Sequence, residues 1–218
     1  MGLRITNATG QNPTLWLYGP IGDQFGGIVA DEVRVALQEI PSKQDIDVHI
    51  HSEGGDFWDS IAIHSNLKAR QGRTNVIIDS LAASGGSIIA MAGDSIEIAK
   101  GGWVMIHEAH GATRGRAEDF RKAAERLDAT NEQLVEVYKG RWKGTEKELR
   151  AALSNETWLK PDDAISAGLA DSISNSMAIA AYVDKAVFNY ANLPEELSVE
   201  LLPEKHRAYE EKLAAAIG

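Results

Sequence analysis

Twice in succession the chain runs from a strand-like apolar segment through a pair of glycines into a helix-like segment, over Val48 to Ala69 and again over Val76 to Ala92. "DIDVHIHSEGGD" alternates apolar and polar residues as far as Ile50, then breaks at Gly54-Gly55; "TNVIIDSLAASGG" repeats the plan and breaks at Gly85-Gly86. The helices that follow are "FWDSIAIHSNLKA" and "SIIAMAG". Strands that alternate with helices need crossover connections, so the repeat predicts an α/β fold with a largely parallel sheet and helices on its faces.

The flanks extend this pattern. "TLWLYGPIG" (Thr14 to Gly22) is a short strand ending in Gly-Pro punctuation, and Gly27 to Ile40 has apolar residues at helical spacing. "DSIEIAKGGWVMIHEA" predicts two more short strands, followed by a long charged helix from about Ala117 to Trp142. "TEKELRAALS" opens with Thr145 and Glu148 at capping-box spacing, and "KPDDAISAGLADSI" follows. From about Ser174 the chain becomes charged and carries two prolines, and it ends in a predicted helix. Residues 174–218 therefore read as a C-terminal extension to a domain of residues 1–173.

The chain has 218 residues and is 44% hydrophobic, which is ample for a core. Its formal net charge of −10 argues against a general nucleic-acid surface, because phosphate binding needs clustered Lys and Arg. The absence of cysteine excludes disulfides and thiolate chemistry and fits a reducing compartment. No basic-then-apolar leader opens the sequence and no run is long enough to span a bilayer, so the expectation is a cytoplasmic protein with neither nucleic-acid nor membrane partners. His49 and His51 fall on one strand face without an acid or cysteine at metal spacing, so neither metal nor cofactor is expected.

Ser84 stands between Ala82-Ala83 and Gly85-Gly86 at a strand-to-helix junction. Small residues there allow tight packing of helix on sheet. They also suit a nucleophile, because free N–H groups and the positive end of the helix favour a developing anion. A base to partner it is offered by His107, at the end of "WVMIH", and an acid by Glu156, Asp162 or Asp163 in "LSNETWLKPDDA".

Taken together, Ala82-Ala83-Ser84 with Gly86, the run Val104 to His107, and Trp158-Leu159 followed by Gly168 to Asp171 resemble the ClpP family of serine peptidases, the proteolytic subunit of Clp protease. The similarity covers about residues 14 to 173. It implies a ClpP/crotonase-like fold of repeated strand-strand-helix units with a mostly parallel sheet and a projecting handle helix, the handle region lying at about 108–142. It also implies a serine endopeptidase acting on protein or peptide substrates without a cofactor. Ser84 would be the nucleophile, His107 the base and Glu156 the acid, with the backbone N–H groups of Gly55 and Gly85 as oxyanion hole. A homo-oligomer follows from the same likeness, as a heptameric ring or double ring.

The sequence departs from the family pattern in three places: Glu156 stands where aspartate is usual, Glu53 where proline is usual, and Glu108-Ala109 after His107 where Gln-Pro is usual. Members bound to an unfoldase carry a longer N-terminal segment, so the short stretch ahead of Thr14 leaves a Clp-type ATPase partner open. Phage and prophage head-maturation proteases share that shortness and the glutamate of "ETW". Two alternatives stand beside this reading, a crotonase-fold acyl-CoA enzyme and an inactive ClpP-like ring or scaffold subunit.

Overall fold

The computed structural model describes residues 2–7, 9–177, 183–184 and 187–199. The elements are β1 (Leu3–Thr6), β2 (Thr14–Tyr18), α1 (Ala30–Gln38), β3 (Ile46–Ser52), α2 (Phe57–Lys68), β4 (Thr74–Ala83), α3 (Gly85–Ala90), β5 (Ser95–Lys100), β6 (Trp103–Ile106), α4 (Ala117–Lys139), α5 (Glu146–Ser154), β7 (Thr157–Leu159), α6 (Pro161–Ala167), β8 (Ser172–Met177), β9 (Val183–Asp184) and β10 (Ser198–Val199).

The main sheet has the order β1-β2-β3-β4-β5-β8, and β6 pairs with β4 and β7. Its pairings are parallel except β1 with β2 and β6 with β7. Strand β4 is long enough to fork. Asn75–Ile78 pair with β5, whereas Leu81, Ala82 and Ala83 pair with Trp103, Val104 and Met105 of β6. The two glycine-pair units are thus β3–α2 and β4–α3, side by side.

Period-two patterning sends Val48, Ile50, Val76, Ile78, Ile96 and Ile98 into the main core, with Ile63 and Leu67 of α2 and Ile88 of α3 among its other members. Burying each such side chain contributes about 1.5–3 kcal/mol. The helix ends follow local chemistry. Asp56 caps α2 by accepting from Asp59 N, Thr145 and Glu148 form the expected capping box of α5, and Pro161 opens α6. Helix α4 buries Leu134, Val135 and Tyr138 near its C-terminal end while its N-terminal half is largely exposed, so it projects from the body.

Three features differ from the sequence expectations. Leu3–Thr6 forms an edge strand antiparallel to β2, where the sequence placed the first strand at Thr14; Leu3 and Ile5 pack on the main core, and Trp16 Nε1 donates to Thr6 Oγ1. Helix α1 starts at Ala30 and not at Gly27, because Ile28 N donates to Pro20 O and Ile28 O accepts from Gly22 N in the preceding turn. Strand β8 runs on to Met177, so the sheet continues past residue 173.

A second, smaller core lies at the β6 arm of the fork. Leu81, Ala83, Trp103 and Met105 cluster there with Val183 and Leu197, and Trp158, Phe188, Tyr190 and Leu193 pack against them. The described part of the C-terminal extension is seated on this cluster, with β9 and β10 paired in parallel. The predicted terminal helix lies outside the described residues.

Candidate active site

Strand β4 delivers Ser84 to a sharp turn from which α3 starts at Gly85. Ser84 has φ 50° and ψ −115°, a backbone conformation with a cost of order 1–3 kcal/mol for a residue with a side chain. The surroundings hold it there. Ser84 N donates to Met105 O at 3.0 Å, and Ser84 O accepts from Ser87 N and Ile88 N. Ser87 Oγ lies 2.8 Å from Ser84 O, 2.7 Å from Met105 O and 2.8 Å from the hydroxyl of the buried Tyr138 on α4. Burial pushes the Tyr138 phenol above its ordinary range, so it stays protonated and available as a donor.

The neighbouring glycine pair abuts this turn. Gly54 has φ 94°, and a Cβ there would stand 2.7 Å from Ser84 Cβ and 2.8 Å from Gly85 N. At Gly55, φ 143°, a Cβ would lie 2.0 Å from Ile21 O. Gly55 N is 3.4 Å from the place of a Gly85 Cβ, so the two glycines are direct neighbours across the turns. Neither N–H is engaged by another backbone carbonyl among the described residues. Tight packing of helix on sheet and presentation of a hydroxyl are here one and the same arrangement.

His107 follows β6 directly, and its Nε2 is 2.6 Å from Ser84 Oγ. Burial lowers its pKa to about 4; His110 adds to the effect and Glu156 opposes it. The imidazole is therefore neutral near pH 7 and can accept the serine proton at Nε2, which leaves its own proton on Nδ1. Nδ1 is buried and has no hydrogen-bond partner among the described residues.

Glu156 sits in the turn between α5 and β7, with φ 47° and only 6% of its surface exposed. Its field reaches His107, yet its carboxylate oxygens take other donors: Ala191 N at 2.8 Å, Asn192 N at 2.7 Å and Trp158 Nε1 at 3.2 Å. Asp162 and Asp163 are exposed in the first turn of α6. Ser84, His107, Gly55 and Gly85 line one cleft of about 550 Å³, with Phe25, Phe57, Trp58, Phe188 and Tyr190 among its walls.

Tyr190 and Asn192 were not singled out in the sequence. The ring of Tyr190 stands edge-on to His107 at 5.5 Å and to Trp158 at 5.6 Å, and its hydroxyl donates to Glu53 O. Burial raises the Tyr190 phenol above its ordinary range, and the Ser84 side chain is close enough to oppose that shift. The aromatic pair in "FNYAN", inside an otherwise charged tail, is the signal that marks this stretch as packed. His49 Nδ1 lies 2.7 Å from Asp79 Oδ2, which also accepts from the Tyr18 hydroxyl, and no group of three or more His, Cys, Asp or Glu suited to a metal ion forms among the described residues.

A family model described as Clp protease matches residues 3–177. The chain belongs to that family. Clp protease membership makes it a peptidase, of a family that acts on protein substrates and generally forms ring oligomers. The matched stretch includes both glycine pairs, Ser84, His107 and Glu156, whereas Val187–Asn192 lie beyond it. No helix among the described residues is long and apolar enough to cross a membrane.

Proposed function

We propose that this Clp protease family member is a serine endopeptidase in which Ser84 is the nucleophile, His107 the general base and Glu156 the acid that orients the imidazole. The observation carrying the reading is the 2.6 Å contact between Ser84 Oγ and His107 Nε2, made by a serine on a strained, firmly tied turn. Ser84 Oγ attacks the peptide carbonyl as its proton passes to Nε2. The oxyanion receives hydrogen bonds from the N–H groups of Gly55 and Gly85, each of which contributes about 3–4 kcal/mol in comparable sites. His107 then returns the proton to the leaving amine, and water attacks the acyl-enzyme by the same route in reverse. The neutral state of His107 favours the first step at pH 7.

The aromatic walls of the cleft suit unfolded or extended segments with large apolar side chains. By resemblance the working form is a ring-shaped homo-oligomer, heptameric, and the setting is phage head maturation. A fluorophosphonate probe should modify Ser84, and hydrolysis of an unstructured protein should fall by roughly 10⁶-fold in Ser84→Ala. Retained turnover in that variant would overturn the mechanism, and acyl-CoA turnover without labelling would favour the crotonase reading.

A further inference from the structure

The chain beyond the family-matched part reaches back into the cleft. Tyr190 stands over His107 and beside Ser84, and its hydroxyl is tied to Glu53 O, two residues before Gly55. The next two residues, Ala191 and Asn192, direct their N–H groups onto the two oxygens of Glu156, and Asn192 Nδ2 donates to Asn155 O. Val183 and Leu197, one on each side, are buried in the smaller core, and Glu196 pairs with Lys160. The segment is therefore anchored at both ends across the site.

Its contact with Glu156 has a chemical cost at His107. The imidazole bonds to Ser84 through Nε2, so the Nδ1 proton needs an acceptor, and a buried donor without one is destabilising. Glu156 acts on His107 through its field, but its hydrogen bonds come from Trp158 Nε1 and from the N–H groups of Ala191 and Asn192, in the strap formed by residues 187–197. We propose that Tyr190–Asn192 form a latch on the catalytic centre. Engaged, they cover the serine and hold the Glu156 carboxylate away from His107; displaced, they free the carboxylate to accept the Nδ1 proton and open the cleft to a peptide. Two states of one segment thus decide which donor the acid serves, and substrate or a neighbouring subunit that binds only the open state shifts the balance.

This rests on the serine peptidase reading, and the test separates the two. Asn192→Pro removes one N–H from Glu156, and Tyr190→Phe removes the tie to Glu53 while keeping the ring. Fluorophosphonate labelling of Ser84 and hydrolysis of an unstructured protein are measured for the parent and both variants, with thermal unfolding as the check on folding. The expected result is faster labelling and hydrolysis in both, by about tenfold to a hundredfold for Asn192→Pro, the shift that loss of one hydrogen bond to a charged group produces. Nitrogen-15 NMR of His107 in that variant should show an Nδ1 proton newly bonded to a carboxylate. Unchanged or slower labelling in folded variants, with the parent active, overturns the latch and leaves the peptidase standing. Absence of labelling and of hydrolysis in the parent and in both variants overturns both.

Discussion

The turn carrying Ser84 and the turn carrying Glu156 hold their residues in opposite ways. Both place a non-glycine residue at positive φ. Ser84 is fixed by neighbours from β6, α3 and α4, all inside the family-matched part of the chain. Glu156 is fixed chiefly by two N–H groups from a segment more than thirty residues downstream, outside that part. In the mechanism we propose, Ser84 is the nucleophile, which must not move between substrates, so redundancy suits it. Glu156 is the acid of that mechanism, and held by a separable segment it can change partner. On that reading the site combines a rigid half with a half whose geometry depends on what covers it.

Three measurements would break or sharpen that contrast. Removing the acid should have the largest effect: Glu156→Gln lowers kcat by about 10⁴-fold if it orients His107, as loss of the third group does in comparable triads. Asp162→Asn and Asp163→Asn, at exposed positions, should stay within about twofold. Turnover lost in an aspartate variant and kept in Glu156→Gln would place the acid elsewhere.

The next effect is on stability against pH. His107 and His51 both have folded pKa values of about 4 against 6.5, so the unfolded chain binds more protons between pH 4 and 6.5. Stability is present above pH 6.5 and is lost as pH falls towards 4, by about 3 kcal/mol for each residue at most. Glu53 has the opposite sign. Burial raises it from 4.5 to about 7, so its contribution is present below pH 4.5 and lost as pH rises through 7. Denaturant unfolding of Glu53→Gln at pH 5 and pH 7 should therefore show a steeper gain with pH than the parent. An equal slope would mean that the carboxyl of Glu53 does not titrate in that window.

The smallest effect concerns the rigid half. Ser87→Ala leaves Tyr138 and the turn short of a hydrogen bond and should lower stability by about 1–3 kcal/mol, read as a drop in Tm. Tm unchanged in this variant would show that the remaining contacts hold Ser84 unaided.

The rigid half was legible in the sequence for a physical reason. Its residues lie in short, locally patterned units, strand then glycine pair then helix, so periodicity and punctuation locate Ser84, Gly55 and Gly85, and the end of the apolar run locates His107, the residue the structure sets beside Ser84. The capping residues of α5 and the forked sheet's component strands follow from the same local rules. The strap was not legible. Tyr190 meets Glu53 across 137 residues, and Asn192 meets Glu156 across 36, in a stretch with no regular period. Charge and proline marked it as an extension, and nothing local states which surface it covers. Strand β1 was missed for a related reason: four residues at a sheet edge carry too little alternation to stand out.

The forked strand has a further consequence. Ala83 pairs with Met105, and Ser84 and His107 leave the adjacent lanes of that ladder one and two residues later. The separation of hydroxyl and imidazole is thereby a property of strand registration, indifferent to the helix, strand β5 and turn that the chain makes between them. Insertions at the exposed Asp94 turn should leave the pair in reach, whereas a single-residue slip of β6 would face the imidazole away from its partner.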